Sequence, residues 1–281
     1  MPALDQAEGA VGLRFPRPRP WGSVAGAGAL DWLRRALLPF ALLVGVWWAL
    51  KLILRLDSTI LPSPLETASA TAPLLERGIL VDYVTHSLER IAVASLLGVA
   101  IGVPVGLILG SNRWLSIAFQ PYLTFFQALS GIAWLPMALI WFGFTETAIQ
   151  AVILYTVFFP VAFNTMAGVR TVPGQLANAV RVLGASRARL IRDVWLPGAM
   201  PGIVVGMRLG IAYGWRALIA GEIVVGTGGI GYMLFQARSF HLTSRIILGM
   251  ILIGLLWTFI DLGFLRPLER ATVERWGMVQ R

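Results

Sequence analysis

Few side chains in this sequence are equipped for chemistry, and the most conspicuous are charges placed where charges are costly. Arg208, Arg216 and Glu222 interrupt an apolar run at 200–226. An ionised group in hydrocarbon must face a cavity, water, a neighbouring helix, another subunit or a solute. These three cannot neutralise one another within the run. On a helix Arg216 and Glu222 point about 240° apart, while Arg208 and Glu222 share a face but are separated by about 21 Å along the axis. Three readings follow. Either an arginine attracts an anion along a path, with Arg216 nearest the middle, or all three are held by bonds to other helices, or Arg208 lies close enough to the cytoplasmic end to reach water. Ser130, Gly131 and Trp134, inside another apolar run, complete the residues expected to line such a path.

Other chemistry is largely excluded. Cysteine is absent, which removes disulfides, thiolate metal sites and cysteine nucleophiles together. His86 and His241 have no second ligand at helical spacing, so no metal site is expected. GTGGIG at 226–231 satisfies the spelling G-x-G-x-x-G. It follows an apolar run rather than a strand of a parallel sheet, so it is read as a flexible turn and not as a nucleotide site. A phosphate-cradling loop needs a lysine after its glycines, and the only lysine, Lys51, lies in ALKLIL. This chain is therefore expected to hold no cofactor and to hydrolyse no ATP. No serine sits in a nucleophile elbow. Trp47, Trp48 and Trp141 suit interface anchoring better than stacking on a solute.

The elements that carry these residues are built for a membrane. Charged residues make up 13% of the chain and the mean hydropathy is +0.75, against about 25% charged in ordinary globular proteins. Runs without any charge cover 91–110, 114–145 and 147–169, each reaching the ~20 residues of a bilayer-crossing helix. Three more, at 36–54, 200–226 and 246–265, carry isolated charges, among them Asp261 in the last. Barrel strands would alternate with period two, which these runs do not, so the expected fold is an all-α membrane protein of six transmembrane helices. The run at 114–145 has 32 residues, more than one perpendicular span needs. It is either broken at Ser130 and Gly131 or tilted and kinked.

The expected organisation is a tail at 1–35, a transmembrane domain at 36–270 containing a loop at 170–199, and a tail at 271–281. A cleavable signal would have a shorter apolar core, so the first span is read as retained. The formal charge of +9 is a topology signal rather than a nucleic-acid one. Fifteen of the 23 basic residues lie before the first span, at 113, within 170–192 or after the last span, which puts both termini and the loop in the cytoplasm. On the opposite side, 57–83 has room for a short helix on the membrane surface.

The loop has the sharpest local pattern. Leu176, Ala179, Val180 and Leu183 recur on one face of a short helix, with Gln175, Asn178 and Arg181 on the other. Gly184 suits the left-handed residue that ends it, Ala185 follows, and Ser186 suits the N-cap of a second helix. In that helix Leu190, Ile191, Val194 and Trp195 fall within one arc and Arg189, Arg192 and Asp193 on the opposite one. Leu196 and Pro197 are expected to end it and begin the return into the membrane. Both helices are too short to stand alone in water. They could lie on lipid headgroups, fit a groove on a partner, or pack internally, and the pattern alone leaves all three open.

The spacing Asn178-Ala179-Val180, three residues, Gly184, nine residues, Val194, one residue, Leu196-Pro197 resembles the cytoplasmic loop of membrane subunits of bacterial ABC importers. That family has Glu-Ala-Ala, Gly, Ile and Leu-Pro at these places. Here Asn178 departs from the glutamate, Val180 from the second alanine and Val194 from the isoleucine. HSLERI, IAWLPMALIWFG, FFPVAFNTMAGV and GMRLGIAYGW extend the resemblance over residues 60–275. Ser130 departs from a proline common in relatives. The resemblance implies the type I importer permease fold, in the branch handling nitrate, sulfonates such as taurine, bicarbonate and related solutes. It implies that Asn178, Ala179, Arg181, Gly184, Ala185, Ser186, Leu196 and Pro197 dock on an ATP-binding cassette ATPase, present in two copies, which binds the ATP and Mg. It further implies a second permease copy, an external solute-binding protein, and alternating access in the bacterial inner membrane. The expected solute is small and anionic, an aromatic carboxylate included. A neutral or cationic solute such as a pyrimidine vitamin precursor is the alternative within the branch, and a channel or carrier without ATP the alternative outside it.

Overall fold

A computed structural model of the chain describes residues 29–270 and 272. The expected tails fall outside these residues, apart from Thr272 and from 29–35, which open the first helix. The described residues form helices and connecting turns, with no strand among them. Helix α1 (Ala29–Leu54) belongs to a unit by itself and is apolar over Leu37–Leu54, where the mean hydropathy is 2.1.

The second unit begins at Arg55. Two short helices, α2 (Pro64–Ser69) and α3 (Thr71–Glu76), occupy the segment expected to hold a surface helix. Ser63 and Glu66 form a capping box at the start of α2, Ser63 accepting from the Glu66 backbone and Glu66 from the Ser63 backbone. That arrangement satisfies amides that the helix start would leave unpaired. Three long helices then carry the bundle: α4 (Ile79–Ser111), α7 (Glu146–Thr171) and α9 (Arg187–Val225). Between α4 and α7 lie α5 (Arg113–Ala128) and α6 (Leu135–Phe142). A short helix, α8 (Gly174–Val182), precedes α9, and α10 (Ile230–Ser239) and α11 (Thr243–Glu269) complete the chain. With α5 and α6 counted as one bent pair, six elements are long and apolar enough to cross a membrane.

Helix α7 is the centre of the bundle, with Ile149, Ile153, Val157 and Val161 fully buried. Between apolar helices in lipid there is little hydrophobic drive, so association depends on close approach and dispersion. Two glycine rows supply that approach. Gly98, Gly102, Gly106 and Gly110 of α4 face Val157, Val161, Thr165 and Val169 of α7, and a Cβ at Gly102 would lie 2.9 Å from Val161. On the other side Gly202, Gly206 and Gly210 of α9 face the α7 backbone, where a Cβ at Gly206 would lie 3.0 Å from the Pro160 carbonyl. Their four-residue spacing fixes which faces of α4 and α9 turn towards α7, and therefore where the remaining side chains point.

The long third run is broken, which decides between the two readings of it. Helix α5 ends at Ala128, Leu129 and Ser130 are extended, and a 3₁₀ turn at Gly131–Trp134 leads into α6, bent by 85° from α5. The last carbonyls of α5 lack intrahelical partners, and the Tyr155 hydroxyl donates to that of Phe126 at 2.7 Å. Gly131 is packed against Thr156 Oγ1 so closely that a Cβ would overlap it.

Candidate functional site

The loop between α7 and α9 has the expected helix, glycine and helix. Helix α8 ends in a Schellman motif, with the Gly184 amide donating to the Arg181 carbonyl at 2.9 Å and the Ala185 amide to that of Val180 at 3.2 Å. Gly184 has φ +80°, a conformation that costs a side chain with a Cβ about 1–2 kcal/mol. Ser186 then accepts from the Arg189 amide as N-cap.

Two features of the loop depart from the sequence pattern. Leu196 and Pro197 do not end the second helix. It runs unbroken from Arg187 into the span, through a π-helical turn at Ile191–Trp195. The wider turn accommodates Pro197, whose ring would clash with the carbonyl four residues earlier in a regular helix. The apolar arc of the first helix is also largely uncovered: Leu176 and Leu183 are 55% and 84% exposed, Ala179 is exposed and Val180 half-buried, and Ala177 is the helix's only buried residue. The second helix is anchored instead. Leu190 is 1% exposed, and Ile191, Trp195 and Leu196 pack against the cluster of Leu107, Val169, Ala199 and Ile203. Asn178, Ala179, Arg181, Arg187, Arg189 and Arg192 are exposed. One half of the loop is therefore bare and the other is rigidly continuous with α9.

The three intramembrane charges are separated by the fold. Glu222 is fully buried and accepts from the Ser87 hydroxyl at 2.8 Å, the Arg90 guanidinium at 3.0 Å and the Gly231 amide at 2.9 Å. Arg90, itself 2% exposed, donates also to Glu146 at 2.8 Å and to the Gly228 carbonyl at 2.8 Å. Arg90 is not among the residues that the sequence singles out. The signal was the spacing in HSLER, which puts Ser87 and Arg90 on one face of α4. The glycine turn at 226–231, expected to be flexible, is locked over this pair. Gly228 and Gly229 have φ +123° and +99°, and a Cβ at Gly229 would overlap the Glu222 carboxylate. Arg208 is held from α11: Asp261 accepts from its Nε at 2.9 Å and from its Nη2 at 3.1 Å, and Glu269 from its Nη1 at 2.8 Å. Asp261 also accepts from Arg266 at 3.0 Å. Glu222 and Arg208 are thus each bonded to side chains of other helices.

Arg216 is different. Among the described residues no carboxylate is within ion-pair distance of it, and its guanidinium lies 5.7 Å from the Tyr213 ring centroid. It opens on a cavity of about 290 Å³ at the break between α5 and α6, whose walls include Ser130, Gly131, Phe126, Tyr155, Phe159 and Tyr213. Of the expected path residues the fold thus brings Ser130, Gly131 and Arg216 together. Trp134 stands behind the wall, 5.3 Å from the Tyr155 ring, while Arg208 and Glu222 lie elsewhere. Among the described residues no group of acidic and histidine side chains is placed to hold a metal ion.

Residues 102–266, more than half of the chain, match the family described as binding-protein-dependent transport system inner membrane component. The taurine transport system permease protein of Escherichia coli is 32% identical over 245 residues, covering 85% of this chain and 89% of that protein. A bicarbonate transport system permease protein of Synechococcus elongatus is 35% identical over 237 residues, covering 80% and 85%. A nitrate import permease protein of Synechocystis is 29% identical over 237 residues, covering 81% and 85%. With its broken third span, its glycine-packed central helices and its half-anchored loop, the chain belongs to the inner-membrane permease subunits of ABC importers and has the type I fold of that family.

Proposed function

We propose that this chain moves a small monoanion into the cytoplasm by alternating access, driven by ATP hydrolysis on a separate subunit. The observation that carries the coupling is the asymmetry of the loop. A motor protein seated on the bare apolar face of α8 would push on a loop whose other half is one helix with the fifth span, so a displacement there passes directly into the bundle. The family description supports a binding protein outside this chain, and the relatives' names support a permease that is one part of a transport system. The working assembly we infer has two permease copies, two ATPases holding ATP and Mg, and an external solute-binding protein. Both termini and the loop face the cytoplasm of a bacterium, following the distribution of arginine. The tails at 1–35 and 271–281 belong to that side.

Docking is tested by co-purification. Leu183→Arg places a charge on the exposed apolar face without touching the bundle, and it should release the ATPase while the permease stays monodisperse. Retention of the ATPase at the unmodified level would rule the docking face out.

The anionic solute rests on Arg216, the one intramembrane guanidinium that has no carboxylate beside it among the described residues. A neutral solute would leave that charge uncompensated, and a cationic one would be repelled by it. A channel or ATP-independent carrier has no use for a helix pair that is bare on one side and anchored on the other.

A further inference from the structure

The cavity at the broken helix offers more than a charge. Phe126 stacks on Phe159 with centroids 5.2 Å apart and planes 24° from parallel, and Tyr155 packs on Phe159 at 4.8 Å. Tyr155 and Phe159 are four residues apart on α7 and so share a face. The Tyr155 hydroxyl is tied to the Phe126 carbonyl, which pins the two helices that bear the rings. The result is a fixed aromatic wall. Across from it stand Tyr213 and Arg216, three residues apart on α9, with the ring beneath the guanidinium. The remaining polar groups, such as Ser130 and Gln127, are uncharged, and no carboxylate lines the space.

Size decides between solutes. A cavity of about 150 Å³ holds benzene, whereas this one has about 290 Å³. An ion of three or four heavy atoms would leave most of that volume to water and the ring faces unused. A ring with one anionic substituent occupies a larger share of it and lays a flat apolar body against rings that prefer offset or edge-on partners. The planar fork of Arg216 matches a carboxylate or sulfonate through two parallel bonds.

Resting on the anion-path reading, we propose that the cavity bounded by Phe126, Tyr155, Phe159, Tyr213 and Arg216 is a transit site for an aromatic monoanion of the benzoate or benzenesulfonate type. The ring lies on the α5–α7 wall and the anionic group on α9.

The test uses the assembled complex in lipid nanodiscs, with benzenesulfonate and methanesulfonate as probes and binding read by saturation-transfer NMR. Benzenesulfonate is expected to bind about tenfold more tightly than methanesulfonate. Arg216→Gln should remove the binding of both. Phe159→Leu should reduce benzenesulfonate to the methanesulfonate level and leave methanesulfonate unchanged. Because Phe159 is packed among other rings, Tyr213→Leu at the cavity mouth provides a second variant that leaves the wall intact, with the same expected loss of preference. Equal affinities that both depend on Arg216 would overturn the aromatic preference and leave the anion path standing. Benzenesulfonate binding that survives Arg216→Gln would place the ring elsewhere and overturn the site. Absence of any Arg216-dependent binding would overturn the anion path as well.

Discussion

Two arginines on neighbouring helices of this bundle have opposite surroundings. Arg90 on α4 has Glu222 and Glu146 as ion-pair partners and a glycine turn folded over it. Arg216 on α9 has an aromatic ring, an open cavity and no carboxylate. Both are costly to place in a membrane. At Arg90 the cost is offset inside the chain, so the charge serves to bind α4, α7, α9 and the 226–231 turn together. At Arg216 no described residue supplies the offset, which is left to water, the second permease copy we infer, or a passing solute. A compensated intramembrane charge is thus structural here, and the uncompensated one is where we propose the path.

That contrast is open to direct attack. The largest effect is expected from Glu222→Ala, which leaves the Arg90 guanidinium buried beside one exposed carboxylate and should cost about 3–5 kcal/mol. Thermal unfolding of the purified permease measures it, and the double variant Arg90→Met with Glu222→Leu should recover much of the loss. If Glu222→Ala unfolded normally but stopped uptake, the roles assigned to the two regions would have to be exchanged. Arg216→Gln is the converse. Its melting temperature should be unchanged, while uptake of an anionic solute by the assembled importer falls about 10- to 100-fold, the worth of a hydrogen bond to a charged group. Loss of stability without loss of transport would remove Arg216 from the path.

Gly184→Val sharpens the comparison at the loop. The left-handed conformation at this position should cost about 1–2 kcal/mol locally, loosening the end of α8 and weakening ATPase retention, with the bundle's melting temperature unaltered. The smallest effect belongs to Arg208→Lys. It keeps the charge opposite Asp261 and Glu269 but loses the two-bond fork, and in this partly exposed network about 1 kcal/mol or less is at stake. A drop in uptake as large as that of Arg216→Gln would show that Arg208 also faces the solute.

The loop was the most legible part of the molecule. Gly184 as a left-handed terminator and Ser186 as an N-cap are local matters, settled by residues within one turn of each other, and the structure has both. Pro197 misled because its effect depends on whether the helix can widen, and the π-helical turn lets it do so. The break at Ser130 and Gly131 was one of two readings, and the tight seat of Gly131 on Thr156 resolves it. The aromatic wall had a faint signal, four-residue spacing of Tyr155 and Phe159, but nothing in the sequence aligned it with Phe126 or with the opening beneath Arg216. The glycine rows on α4 and α9 were legible as spacing, and their partner was not.

Sequence by itself determined the apolar segments long enough to span, the basic ends from which we propose the topology, and the helix-glycine-helix of the loop, because hydropathy, charge and backbone preference act over a few neighbouring residues. Tertiary structure alone decided which charge is neutralised. Arg90 and Glu222 are 132 residues apart, and Arg208 and Asp261 are 53. Whether such groups meet depends on the rotation of each helix about its axis, which the close approach of α4 and α9 to α7 sets and no local rule contains.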